Sequence, residues 1–97
     1  MKTKIVKSSE LNPAKSLHPD DYIGRVRARV TKIGGSERWQ VQWQFDGEDT
    51  IYTRDNFTMG YTHEIALGMA QFIEEHPAVA RRGLTERDKA SARPGTL

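Results

Sequence analysis

The chain reads as a small α+β domain, a three-stranded antiparallel β-meander with one amphipathic helix packed on its apolar face. Three observations predict this. Two neighbouring segments alternate strictly, Arg25-Val26-Arg27-Ala28-Arg29-Val30 and Trp39-Gln40-Val41-Gln42-Trp43-Gln44-Phe45, and successive strand side chains point to opposite faces. A tight Asp46-Gly47 turn leads into a third extended run, Thr50 to Arg54, as hairpin chemistry requires. Apolar residues then recur at helical spacing from Ile65 towards His76, the signature of a helix buried on one side.

The first strand spans about Gly24 to Ile33 and the second Arg38 to Phe45. A hairpin centred on Gly35-Ser36 pairs Val30 with Val41, Ala28 with Trp43 and Val26 with Phe45 on one face. The other face pairs Arg29 with Gln42 and Arg27 with Gln44. A two-residue loop at Gly35-Ser36 and a four-residue loop from Gly34 to Glu37 give the same register, so the two-faced pattern survives either turn. The third strand has two registers open to it. A two-residue loop places Tyr52 on the Trp/Val face, whereas a three-residue loop with a bulge places Ile51 and Thr53 there.

Thr62 suits a helix N-cap, with Glu64 in the first turn where it complements the dipole. Ile65, Met69, Phe72, Ile73 and His76 fall on one stripe, which is expected to cover the Trp39/Val41/Trp43 side of the sheet. The expected core is therefore Val26, Val30, Trp39, Val41, Trp43, Ile65, Met69 and Phe72. Gly68, at the stripe's edge, costs about 1 kcal/mol against alanine and suits a close helix-to-sheet approach. Pro77 either stops the helix or starts another short turn through Arg82.

Outside this body, residues 1–21 read as an extended N-terminal arm. Its Ile5-Val6 pair suits an added edge strand, Asn12-Pro13 a single helical turn, and Leu17-His18-Pro19-Asp20-Asp21 a turn. The domain is expected over residues 22–82. Residues 83–97 mix charge, Ser, Pro and Gly without apolar periodicity and read as a flexible, disordered tail.

Ninety-seven residues suit a single domain. The absence of cysteine removes disulfides, thiolate metal sites and cysteine nucleophiles. No apolar run has signal-peptide or membrane-span length, and a cytoplasmic location is the expectation. The formal net charge of +2 is unevenly spread: residues 1–33 carry eight Lys/Arg against three Asp/Glu, residues 34–75 two against eight, and residues 76–97 five against two. Basic segments flanking an acidic middle suit an oriented contact with an anionic partner.

Several chemistries find no support in the residues. His18, His63 and His76 lack ligand spacing, since the two helical histidines lie thirteen residues apart, so neither a metal nor another cofactor is expected. Asp46-Gly47-Glu48-Asp49 lacks the alternating oxygen ligands of a calcium loop and is explained by its turn. Tyr22-Ile23-Gly24 and Ile51-Tyr52 echo the GIY-YIG nucleases, but in inverted order and with Thr50 in place of the first glycine. Pro19-Asp20 begins a metal-nuclease motif that no acid-x-lysine completes. No strand-turn-helix nucleophile elbow is present. The expectation is a binding module, not an enzyme.

The candidate binding surface is the row Arg25, Arg27 and Arg29 beside Gln40, Gln42 and Gln44. Arginine pairs with guanine and grips phosphate, and glutamine pairs with adenine, so this set suits a sheet entering the major groove of duplex DNA. The layout over about residues 24–76 is similar to the three-stranded-sheet-plus-helix domains that bind DNA at the amino end of tyrosine recombinases and in plant transcription factors. That likeness is one of architecture and pattern, and it implies duplex DNA as partner. A protein partner is the alternative. Leu67, set among Glu64, Gln71 and Glu74 on the polar side of the helix, would then anchor an adaptor or inhibitor of the kind that phages and other mobile elements carry.

Overall fold

The computed structural model describes residues 24–97, so the expectations for the N-terminal arm lie outside the described residues. Strands β1 (Val26–Lys32), β2 (Trp39–Phe45) and β3 (Thr50–Arg54) are followed by helices α1 (His63–Glu75), α2 (Pro77–Arg82) and α3 (Glu86–Ala90), and a two-residue strand β4 (Arg93–Pro94) closes the order. The sheet is antiparallel in the order β1-β2-β3-β4. Among the described residues, no helix is long and apolar enough to cross a membrane.

The alternating segments pair as their patterns require, Val26 with Phe45, Ala28 with Trp43 and Val30 with Val41. The Ile33 N–H donates to the Arg38 carbonyl at 2.8 Å, which leaves Gly34 to Glu37 as the four-residue loop. Tyr52 stands opposite Trp43, so the second hairpin takes the register that turns Tyr52 inward. Its ring lies 5.9 Å from that of Trp43 and 6.0 Å from that of Phe45.

The core consists of Val26, Val41, Trp43, Phe45, Ala66, Ala70 and Ile73. Burial of each large apolar side chain stabilises the fold by about 1.5–3 kcal/mol, and Trp43 and Phe45 supply the largest apolar surfaces. The helix starts where expected, with the Thr62 hydroxyl accepting the Ile65 N–H at 3.2 Å. It is rotated, however, by roughly 80° about its axis from the expected stripe. Ala66 and Ala70 meet the sheet, Met69 is half-buried, and Ile65 and Phe72 remain 53% and 49% exposed. The aromatic side chains of β2 already fill the interlayer space, so the helix approaches through its smallest residues. Val30 and Trp39 are likewise only partly buried. Pro77 opens α2 and does not end the helical region.

The tail is the main departure. Residues 83–97 form α3 and β4 and dock on the sheet, whereas their composition suggested disorder. Polar anchors do what apolar periodicity usually does. Thr85 and Asp88 form a reciprocal capping box, a device that satisfies two backbone donors at a helix start. Both Asp88 oxygens take bonds from Arg54, whose guanidinium also lies 5.2 Å over the Trp43 ring. The Thr53 N–H donates to Ser91 Oγ at 2.9 Å, and the Gly95 N–H to the Asp49 carbonyl at 2.8 Å. Burial opposes ionisation of Asp88, but the bonds from Arg54 and Thr85 outweigh it and hold this carboxyl below the ordinary range.

Candidate functional site

Strand alternation places Arg25, Arg27, Arg29, Gln40, Gln42, Gln44 and Thr53 on the sheet face turned away from α1. Arg93 joins them, because it stands opposite Ile51. Arg27 and Arg29 are exposed on β1, and Arg25 is exposed just before it. The Arg27 side chain makes no hydrogen bond or ion pair among the described residues.

A hydrogen-bonded ladder crosses this face. Gln40 Nε2 donates to Thr31 Oγ1 at 3.1 Å, Arg29 Nε to Gln42 Oε1 at 2.9 Å, and Gln42 Nε2 to Thr53 Oγ1 at 3.2 Å. Gln42 thereby fixes the plane of the Arg29 guanidinium while the two terminal nitrogens bond to nothing among the described residues. A guanidinium held flat with its outer edge open loses less freedom when it grips a planar acceptor pair.

Gln44 departs from the expected set. It is 1% exposed, its amide nitrogen donates to the Gly95 and Glu48 carbonyls at 2.7 and 3.1 Å, and its oxygen accepts the Leu97 N–H at 3.0 Å. The C-terminal residues therefore consume this side chain as a structural anchor, and it is withdrawn from the binding row.

In exchange, the tail contributes residues absent from the expected site. A cavity of about 390 Å³ is lined by Gln40, Gln42, Thr53, Asp55, Arg87, Ser91 and Arg93, with Ala90 beside them. Asp55 is the one carboxylate among these lining residues, and Arg87 NH2 approaches its Oδ1 at 3.5 Å. Cations thus flank a belt of amides and hydroxyls from both margins, Arg27 and Arg29 on β1 and Arg87 and Arg93 on the tail. The signal for this was the Thr85-x-x-Asp88 spacing of a capping box, set in a stretch with a basic surplus.

The alternative set shares one exposed stripe of α1. Glu64, Leu67 and Gln71 are exposed, and Leu67 is 42% accessible. Glu74 is exposed too, but its Oε2 accepts the Ala28 N–H at 2.8 Å. That bond blunts one of the open groups of the β1 edge, where another strand would otherwise add.

The loop between β3 and α1 borders the cavity. Asn56, Phe57 and Thr58 have φ of 56°, 58° and 68°, and Gly60 follows at 79°. Left-handed backbone costs a non-glycine residue roughly 1–2 kcal/mol, and asparagine tolerates it better than phenylalanine or threonine. Several bonds hold the loop there. The Gly60 N–H donates to the Asp55 carbonyl at 2.8 Å, the Met59 N–H to the Asn56 carbonyl at 3.0 Å, and the Thr58 N–H to Asp55 Oδ1 at 3.2 Å. Gly60 is required, since a Cβ there would collide with the Arg38 side chain.

No protein-family model, curated protein or solved structure matches this chain. Fold and site together define a small α+β protein with one apolar, helix-covered sheet face and one basic, amide-rich face.

Proposed function

We propose that this protein binds duplex DNA through the β1–β2 half of its polar sheet face. The observation that carries this reading is the pair Arg27 and Arg29, one without a partner among the described residues and the other oriented by Gln42, on a face whose lone cavity-lining carboxylate already has a cation beside it. Four strands span about 14 Å between the outermost backbones, too wide for a major groove of about 12 Å, whereas a two-stranded ribbon enters it. Docking of the tail on Gln44 and beside Thr53 leaves such a ribbon open. Arg29, Gln40 and Gln42 then face base edges, while Arg87 and Arg93 on the far margin meet phosphates.

Titration with duplex at several salt concentrations tests this. Phosphate contacts release counterions, so affinity should fall steeply with salt, and loss of one phosphate-contacting arginine should flatten the log-log slope by about one unit. A folded Arg25→Ala, Arg27→Ala, Arg29→Ala triple variant should lose duplex binding, whereas Glu64→Ala should keep it. Equal, weak binding by wild type and triple variant would reject the face.

A second reading, docking of a protein on α1, is favoured by the exposure of Ile65 and Phe72, which share one side of the helix and line a shallow groove with Gly68 and Met69, since large apolar residues grouped on a surface often mark interfaces. Its mark would be a stoichiometric, nuclease-resistant partner lost on Phe72→Asp substitution.

A further inference from the structure

Phe57 and Met59 are each 66% exposed, the highest values among the exposed large hydrophobic residues. They sit on the left-handed loop described above, where the backbone is both unfavourable and firmly bonded. Such a combination persists when surrounding structure over-determines it, and it gathers where a fold presents a group to something else. The ring of Phe57 carries the Arg87 guanidinium 4.3 Å from its centre, and Arg87 also lines the polar cavity with Gln40 and Gln42. On the other side, Arg38 NH1 reaches towards the Thr58 and Met59 carbonyls at 3.4 and 3.5 Å. The Phe57 ring thus lies against one arginine, itself beside Asp55, and the Met59 backbone against another, so cations flank the loop that carries these apolar side chains, which suits an apolar spot on a polyanion better than the apolar face of another protein.

We infer that Phe57 and Met59 contact thymine methyl groups at the edge of the site. This rests on the duplex-DNA reading and adds the base that the edge of the site selects. In the major groove the C5-methyl of thymine is the apolar feature of the base pairs, and phenylalanine is among the side chains that pack on it. Glutamine beside it pairs with the adenine partner, so the loop and the amide belt favour the same A·T steps.

Replacing thymine by uracil removes the methyl and leaves the Watson–Crick edge intact. Anisotropy titrations would use two equal-length duplexes, one alternating dA and dT and the other dA and dU. Wild-type protein should bind the thymine duplex about fourfold more tightly, the increment expected for one buried carbon. The Phe57→Ala, Met59→Ala variant should bind both alike while retaining the wild-type salt slope, and Phe57→Leu should keep part of the preference. Equal wild-type binding to both duplexes would overturn the thymine assignment and leave the DNA reading standing, as would a preference undiminished in the double variant. Absence of binding to either duplex would overturn both.

Discussion

On the apolar face of the sheet, Val41, Trp43 and Phe45 are removed from solvent beneath the helical layer, whereas on the opposite face Gln44 alone among the β2 amides is buried. The first face is held by area taken out of water, which tolerates a rotated helix because burial is non-directional. The second is held by a few directed bonds, each of which fails if its geometry is lost. The polar face is consequently divided, with one part committed to anchoring the C-terminal residues and the rest open on β1 and the near half of β2.

That contrast can be broken most severely at Trp43. Trp43→Ala should cost about 3–5 kcal/mol and unfold much of the protein, as read by denaturant melts, and an unchanged midpoint would reject the core. Next comes the joint between the two faces. Arg54→Met leaves Asp88 buried without its cation and should cost about 3 kcal/mol. The same pair gives a pH signature. Asp88 is held ionised more easily in the folded state than in the unfolded chain, so its contribution is complete above the unfolded value and lost as pH falls through the folded one. Melts of wild type should therefore weaken below about pH 4, and Arg54→Met should lose part of that dependence. Smallest is Gln44→Ala, expected to cost about 1–2 kcal/mol and to speed amide exchange at Leu97 while Trp43 stays protected. Unaltered exchange at Leu97 would show that the tail is held by other contacts.

The hairpin was legible in the sequence because alternation in two adjacent segments determines both faces, and a turn centred on Gly35-Ser36 sets the register whether its loop holds two residues or four. Tyr52 was not, since its orientation depends on how many residues the Asp46-Gly47 turn absorbs. The helix was legible in extent and cap but not in rotation. Its apolar arc includes Ile65 and Phe72 as well as Ala66 and Ala70, and only the bulk of Trp43 and Phe45 across the interface decides which side is closest. The tail was legible least, because Asp88, Ser91 and Gly95 act through bonds to Arg54, Thr53, Gln44 and Asp49, each distant in sequence and none part of a periodic pattern. Of the binding row, the arginines and Gln40 and Gln42 could be read from strand parity. The loss of Gln44 and the arrival of Arg87 and Arg93 both follow from the docking of the tail.

The central claim is that the open part of the polar face is where DNA sits, and chemical-shift mapping on addition of duplex tests it most directly. The side-chain amides of Gln40 and Gln42 and the backbone of β1 should shift, with the Gln44 amide and the Glu64, Leu67 and Gln71 signals of α1 unmoved. Shifts confined to α1, with Gln40, Gln42 and β1 silent, would contradict the account.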